Sequence, residues 1–126
     1  MDGVRLSVLA LLLALLFGAL ETPLAAQWTT ADEVTVAAGG VTLVADWSTT
    51  EWARQQGGWR EWNLVLGPHP TATRLTWYNV AATSAYLALV ARLPTRYRRV
   101  VACAVFALES YSVARNLRAG AHFAVP

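Results

Sequence analysis

The chain contains no lysine and a single cysteine, Cys103, among its 126 residues. One cysteine can form neither an internal disulfide nor a cysteine-based metal site. Because Cys103 lies in an apolar stretch, the sequence predicts a small buried side chain there. Charged residues make up only 14% of the chain, against about a quarter in a typical soluble domain. A soluble chain of this size would need more charge to cover its surface, so the composition favours lipid as the solvent.

Signatures of several function classes are also missing from the sequence. It has no phosphate-binding loop, no dinucleotide fingerprint, no Gly-x-Ser-x-Gly elbow and no nucleic-acid module. His69 and His122 are far apart and lack metal-ligand spacing, so no metal site and no cofactor are expected. The arginines lie between apolar segments. This distribution indicates residues that set the membrane topology and contact phospholipid headgroups, rather than a surface that binds nucleic acid. No catalytic residue is predicted, and an enzyme is the less favoured interpretation.

Residues 1–26 have the pattern of a secretory signal peptide. An apolar run from Leu6 to Leu20 follows a charged start and is ended by Glu21-Thr22-Pro23. Fifteen residues are few for a spanning helix, which needs about 20. The segment is therefore predicted to be a cleaved signal peptide or a retained N-terminal membrane anchor. Residues 27–126 would then form a single helical membrane domain.

The remaining sequence predicts an all-α fold, a membrane-embedded bundle of three helices at about 31–56, 73–92 and 97–117. Glycines and prolines interrupt any helix across the connection Gly57–Pro70. Each helix carries one stripe of polar or small residues at spacings of three and four, which places the stripe on one face. The stripes are Thr35, Gly39, Thr42, Asp46 and Thr49/Thr50 in the first helix, Thr76, Asn79, Thr83 and Tyr86 in the second, and Glu109, Ser112 and Asn116 in the third. One shared polar interior is expected.

Tryptophans at the ends of two helices place the Gly57–Pro70 connection at a membrane interface, because indole rings favour the headgroup level. They are Trp47, Trp52, Trp59, Trp62 and Trp77. The orientation of the chain stays open. The positive-inside rule puts the basic connection Arg92–Arg99 in the cytoplasm, whereas a cleaved signal followed by three spans puts it outside. A first helix that does not fully cross, or a translocated N-terminus, would remove the conflict.

Ionisable residues within a membrane are costly and are functional-site hypotheses by default, and Asp46 and Glu109 are two of them. The full set of candidates for the polar interior or a ligand site is Asp46, Thr50, Glu61, Asn63, His69, Asn79, Glu109 and Asn116. Three interpretations are open for this set. It can be a hydrogen-bonded knot that fixes helix packing, a proton- or ligand-binding site, or a catalytic site.

An ordered series of motifs covers most of the chain after the N-terminal segment. It reads Asp46-Trp47-x-x-Thr50, then Glu61-x-Asn63-x-x-Leu66-Gly67-x-His69-Pro70, then Tyr78, Leu93-Pro94 with Arg98/Arg99, and last Glu109, Asn116 and Gly120. This series resembles a family of uncharacterised small integral membrane proteins of bacteria and their phages, with the patterns D-W-x-Q-T and Y-E-x-N-P-x-L-G-x-H-P-S. Thr49, Leu64 and Thr71 depart from that pattern. The resemblance implies a membrane architecture and no activity.

Together these features predict a multi-pass protein of the bacterial inner membrane with a structural or accessory role. Its partners would be the lipid bilayer and a second copy of the chain or another membrane protein, with no nucleic acid. An alternative is a membrane-embedded enzyme or a proton or small-solute pathway that uses the buried carboxylates. A third is a phage holin-like protein, which fits the size and topology.

Overall fold

The computed structural model describes residues 28–61 and 63–124. Within these ranges the chain forms three α-helices and no strand: α1 is Thr30–Gln56, α2 is Ala72–Arg92 and α3 is Thr95–Arg118. The predicted all-α class and the helical bundle are confirmed, and each helix begins and ends within two residues of its predicted bounds. The predicted signal peptide or anchor lies outside the described residues.

Two of the helices begin with threonine caps. The Thr29 hydroxyl accepts from the Asp32 backbone N–H at 3.2 Å, and the Asp32 carboxylate accepts from the Thr29 N–H at 2.9 Å, which is a capping box. The Thr71 hydroxyl accepts from the Arg74 N–H at 3.2 Å at the start of α2. α1 ends at Gly57, whose φ of 73° lies in the left-handed region that favours glycine.

α1 is the central helix of the bundle. It packs extensively along α3 and less extensively along α2, while α2 and α3 contact each other little. The hydrophobic core between the helices is formed by Val36, Leu43, Tyr86, Leu89, Val90, Leu93, Val101 and Ala102. This core occupies the half of the bundle that contains the start of α1.

Gly39 marks the closest approach of α1 to α2. The Tyr86 hydroxyl donates to the Val36 carbonyl oxygen at 3.0 Å and crosses directly over the glycine. A Cβ atom at residue 39 would stand 2.5 Å from the Tyr86 hydroxyl oxygen and 3.4 Å from the Ala102 carbonyl oxygen. Small residues let helices approach closely, and here the small residue makes room for a side-chain hydrogen bond.

Only α3, among the helices of the described residues, is long and apolar enough to cross a membrane by length and composition, with a mean hydropathy of 1.2. Only 17% of that apolar stretch is buried within the bundle. α1 and α2 do not reach the same threshold, so a multi-pass arrangement does not follow from composition alone. Cys103 lies exposed on α3, and the prediction of a buried thiol is wrong. The error arose because an apolar neighbourhood in sequence was taken for an interior position.

Candidate functional site

Polar residues gather at both ends of the bundle. The cap end contains the start of α1, the end of α2 and the start of α3. The loop end contains the ends of α1 and α3, the start of α2 and the connection 57–71 that precedes α2. The sequence-predicted candidates fall at or toward the loop end, whereas the cap end holds a buried cluster that the sequence did not predict.

Arg98 is the centre of the cap end and is 1% exposed. Its guanidinium donates from Nε to the Val90 carbonyl at 2.9 Å and from Nη2 to the Leu93 carbonyl at 3.0 Å. The remaining nitrogen, Nη1, lies 3.3 Å from Oδ2 of Asp32. One side chain of α3 therefore binds the last carbonyls of α2 and the first turn of α1, and it joins all three helices.

Asp32 is fully buried and receives a second arginine. Arg99 Nε lies 2.7 Å from Asp32 Oδ1, and Arg99 Nη2 donates to the Thr29 hydroxyl at 2.9 Å. Burial raises the pKa of Asp32, but hydrogen bonds from the Thr29 backbone and from Arg99 outweigh it and lower the pKa to about 2. The Trp28 ring lies 4.3 Å from Cζ of Arg98 and covers the cluster. The cap end is thus a closed ionic clamp.

The clamp was not predicted, because the arginines of the basic connection were interpreted only as residues that set the orientation in the membrane. Asp32 was visible as a first-turn acid that favours the positive end of the helix dipole. The available indication was the Arg98-Arg99 pair, four and five residues after Pro94, in the first turns of a helix where two cations oppose the dipole. Such a pair needs an acidic partner, but nothing in the sequence identifies Asp32 as that partner.

At the loop end, Glu61 and Asn63 organise the connection itself. The Glu61 N–H donates to the Pro68 carbonyl at 2.9 Å, which closes the loop. The Glu61 carboxylate accepts from the Asn63 N–H at 2.8 Å, and the Asn63 side chain accepts from the Val65 N–H at 3.0 Å. Both candidates therefore hold the turn in place, as short polar side chains do in tight turns.

Asn116 forms the link between α3 and α1 inside the bundle. Its Nδ2 lies 3.2 Å from Asp46 Oδ1, 3.1 Å from the Thr49 hydroxyl and 3.3 Å from the Thr50 hydroxyl. Thr49, Thr50 and Asn116 are buried, at 0%, 4% and 6% exposure. Three of the predicted candidates, Asp46, Thr50 and Asn116, thus lie in one hydrogen-bonded network.

Tyr78 brings most of the other candidates together, although the sequence analysis did not select it as a site residue. Its side chain hydrogen-bonds with Asn63 and lies within electrostatic range of Glu109, Glu61 and Asp46. The three carboxylates come from α3, the connection and α1, so three separate elements each place an acid within electrostatic range of one phenol. We call the two networks together the inner cluster, which consists of Asp46, Thr49, Thr50, Glu61, Asn63, Tyr78, Glu109 and Asn116.

Two candidates stand apart from the inner cluster. Asn79 is buried, but its amide donates to the Leu75 carbonyl of its own helix at 2.9 Å. His69 lies exposed between two prolines of the connection, away from the interior. Neither residue therefore contributes an observed contact between helices.

A cavity of about 270 Å³ opens beside the inner cluster at the loop end. The chain after α3 folds over it: the Ala121 N–H donates to the Asn116 carbonyl at 3.0 Å, and the His122 ring stands edge-on to Trp52 with centroids 5.0 Å apart. The residues that line the cavity are Trp52, Ala53, Gln56, Gly57, Gly58, Trp59, Asn116, Ala119 and Ala121.

The last turns of α1 carry a separate ion pair near this cavity. Arg54 donates from Nε and Nη2 to the two oxygens of Glu51, both at 2.7 Å, and Gln55 donates to the same carboxylate at 2.9 Å. The bidentate bond from Arg54 lowers the pKa of Glu51, against the opposing effect of burial. Arg54 is thereby occupied and turned along its own helix.

The inner cluster can exchange hydrogen bonds and hold a proton, but its composition limits other chemistry. Among the described residues, no group of three or more His, Cys, Asp or Glu side chains could hold a metal ion. Comparison with known proteins gives no further guide, since no protein-family model, curated protein or solved structure matches the chain. The resemblance to small bacterial and phage membrane proteins stays a prediction.

Proposed function

We propose that this protein is a small integral protein of the bacterial inner membrane, in which all three helices lie in the bilayer and act as a structural or accessory component. Its partners are lipid and a second copy of the chain or another membrane protein. The observation that carries the proposal is an inverted distribution of polarity: large apolar side chains face outward while polar ones meet inside.

The outward apolar side chains occur on every helix. They include Val41 and Val44 on α1, Trp77, Val80 and Leu87 on α2, and Val100, Phe106 and Leu108 on α3, each between 44% and 68% exposed. The buried polar residues include Thr49, Thr50, Asn79 and Asn116. In water, an apolar surface of this extent would drive association, whereas in lipid it is the expected surface.

The charges support the same placement because each helix contains a long stretch without a charged residue. No charged residue lies between Glu33 and Asp46 in α1, between Arg74 and Arg92 in α2, or between Arg99 and Glu109 in α3. Arginines near helix ends extend to the headgroups, and acids within a span need partners. The inner cluster provides polar neighbours for Asp46 and Glu109.

The proposal places the loop end in the cytoplasm. Five arginines lie at or near the loop end, namely Arg54, Arg60, Arg74, Arg115 and Arg118, against four at the cap end, of which Arg98 and Arg99 bind Asp32. If the signal or anchor segment inserts with Arg5 in the cytoplasm, the start of α1 lies on the opposite side of the membrane. Both considerations agree, and the conflict raised by the basic connection Arg92–Arg99 no longer arises.

Membrane extraction and cysteine labelling test the placement and the orientation. The full chain should stay with membranes after an alkaline wash. In a Cys103→Ser background, Leu64→Cys at the loop end should resist a membrane-impermeant maleimide in intact spheroplasts and react after lysis. The matched variant Arg96→Cys at the cap end should react in both. Release by the wash would contradict the membrane proposal, and the reverse labelling pattern would contradict only the orientation.

Glu109→Leu tests the structural role. The apolar replacement should still insert, because it removes a costly acid from the span. It should nevertheless lower thermal stability in detergent or change the oligomeric state, because Glu109 lies in the inner cluster. Unchanged assembly together with unchanged thermal stability would contradict the packing role.

A proton or small-solute pathway is the second candidate function, and one observation favours it: three carboxylates lie within electrostatic range of Tyr78. Liposomes that contain the purified chain and a trapped pH dye should then acidify faster than empty liposomes under a pH gradient. Tyr78→Phe should slow this flux, whereas Trp77→Phe, an exposed neighbour on α2, should not. Flux equal to that of empty liposomes would exclude proton transfer.

A further inference from the structure

We propose that the cavity beside Trp52 and Trp59 binds a small organic ammonium ion. This inference does not depend on the proposed structural role, because it concerns a solvent-accessible cavity at the loop end. Four features of the cavity favour a cation: two helix C-termini, two indole side chains, an amide oxygen backed by a carboxylate, and the lack of a cationic side chain among the described lining residues.

Two helices end at the cavity wall. α1 ends at Gln56, and Gln56 and Gly57 line the cavity; α3 ends at Arg118, and Ala119 lines it from the other side. The C-terminus of a helix carries roughly half a negative charge, because its last carbonyl groups point outward. Two such ends beside one cavity make the potential there favourable for a cation.

Trp52 and Trp59 supply the aromatic walls. Indole faces attract ammonium groups more strongly than other aromatic rings do, and cages of aromatic side chains recognise methylated ammonium ions. Trp52 is held in place by the edge-on His122 ring at 5.0 Å. One wall is therefore positioned before any ligand arrives, which reduces the entropy lost on binding.

Asn116 forms the inner wall. Its Nδ2 is engaged with Asp46, Thr49 and Thr50, so the amide group that remains to meet a ligand is the carbonyl oxygen. A carbonyl oxygen accepts hydrogen bonds from an ammonium N–H and offers nothing to an anion. Behind it, the Asp46 carboxylate adds negative potential.

No described lining residue would compete with a bound ammonium ion. None of the described residues that line the cavity is cationic. Arg54, the arginine of the last turn of α1, binds Glu51 through both oxygens. No carboxylate lines the cavity either, which suits a bulky, weakly hydrated cation better than a metal ion with strict oxygen coordination.

The test uses the purified full chain in nanodiscs of phosphatidylglycerol, which carries no ammonium group. Choline and its neutral isostere 3,3-dimethyl-1-butanol are titrated while calorimetry and tryptophan fluorescence are recorded. Choline should bind at least about tenfold more tightly than the isostere, because only the cation gains from the indoles and the helix ends. Equal affinity for the two compounds would overturn the proposal.

Two variants locate the binding. Trp59→Ala should weaken choline binding about tenfold, while Trp77→Ala, which removes an exposed indole outside the cavity, should leave it unchanged. Ala119→Leu narrows the cavity without removing an indole and should also weaken choline binding. It provides the test if Trp59→Ala fails to fold. Full choline affinity in both folded cavity variants would overturn the proposal.

The source of the ammonium group is a lipid headgroup or a free solute, and a second set of nanodiscs separates them. Ethanolamine is titrated into discs with and without phosphatidylethanolamine. Weaker apparent binding in the phosphatidylethanolamine discs identifies the lipid headgroup as the occupant, because it competes for the cavity. Equal binding in both discs identifies a free solute. Absence of ethanolamine and choline binding in phosphatidylglycerol discs would overturn the proposal.

Discussion

The two ends of the bundle solve the problem of buried polarity in different ways. At the cap end, Asp32 is matched by Arg98 and Arg99 at 3.3 and 2.7 Å, and Trp28 covers the group. At the loop end, carboxylates from three elements lie within electrostatic range of Tyr78, Asp46 bonds to the Asn116 amide, and a cavity lies beside them. The cap end is closed around one acid and two arginines. The loop end has an accessible cavity beside its polar network.

This difference suggests separate roles for the two ends, stability at the cap end and binding at the loop end. A closed ion pair whose donors also bind two backbone carbonyls has little capacity left for a ligand, so the cap end holds the helices together. The inner cluster brings together acids from three elements of the chain next to a cavity, which is the setting of a binding site. We therefore expect variants of the cap end to act chiefly on stability and variants of the loop end chiefly on binding.

The largest expected effect is the loss of stability in Arg98→Met. Removal of one partner of a buried ion pair commonly costs about 3–5 kcal/mol of unfolding free energy, because the other charge stays buried. The carbonyls of Val90 and Leu93 also lose their donor. The measurement is thermal unfolding in detergent, with Arg96→Met as the control, since Arg96 is exposed. Equal melting temperatures for the two variants would contradict the stabilising role of the clamp.

Gly39→Ala is expected to have the next largest effect. The new Cβ would meet the Tyr86 hydroxyl at 2.5 Å, so the variant must lose the bond to Val36 or shift α2. Overpacking of this kind costs about 1–3 kcal/mol. Gly40→Ala is the matched control because nothing lies within 4 Å of its added Cβ, and a helical alanine there should stabilise by up to about 1 kcal/mol. The two neighbouring glycines should thus change the melting temperature in opposite directions.

Asn116→Ala tests the loop end directly. It leaves Thr49 and Thr50 without their common donor and should cost about 1–3 kcal/mol. It should also weaken ligand binding in the cavity, which Arg98→Met should not do in the fraction that folds. Asn79→Ala is the control, because the Asn79 amide bonds only within its own helix. A stability loss for Asn79→Ala as large as that for Asn116→Ala would contradict the interhelical role of Asn116.

The smallest effect is the dependence of stability on acid. The pKa of Asp32 is lowered from 3.8 to about 2, so its stabilising contribution is present above pH 3.8 and is lost as the pH falls through 2. Asp32→Asn should flatten the fall in melting temperature between pH 4 and pH 2. Glu51 gives a remaining slope of the same sign, because Arg54 lowers its pKa. Glu33→Gln is the control, and a slope unchanged by Asp32→Asn would contradict the clamp.

Helix bounds were predictable because their causes are local. Threonine caps, glycine and proline breaks and the spacing of apolar residues act within a few positions of the chain. The inner cluster was predictable in part, since Asp46, Thr50 and Asn116 lie on stripes whose meeting follows from helical periodicity.

The remaining features depend on contacts between distant residues. Arg98 and Asp32 are 66 positions apart, and only the packing of α3 along α1 makes them partners. Tyr78 was not selected because a single phenol near a helix start carries no local pattern. Cys103 was wrongly placed inside because the outward face of α3 is as apolar as an interior, which composition cannot distinguish from a core.

The single native cysteine offers the most direct test of the central claim, that the apolar outer surface of the bundle faces lipid. Cys103 is exposed on α3 within the stretch that is apolar enough to span a membrane. In washed membranes, the wild-type thiol should resist a bulky water-soluble maleimide and react with a membrane-permeant one. Leu64→Cys in a Cys103→Ser background, on the exposed connection, should react with both in open membranes. Rapid reaction of Cys103 with the water-soluble reagent before any detergent is added would show that this surface faces water and would contradict the account.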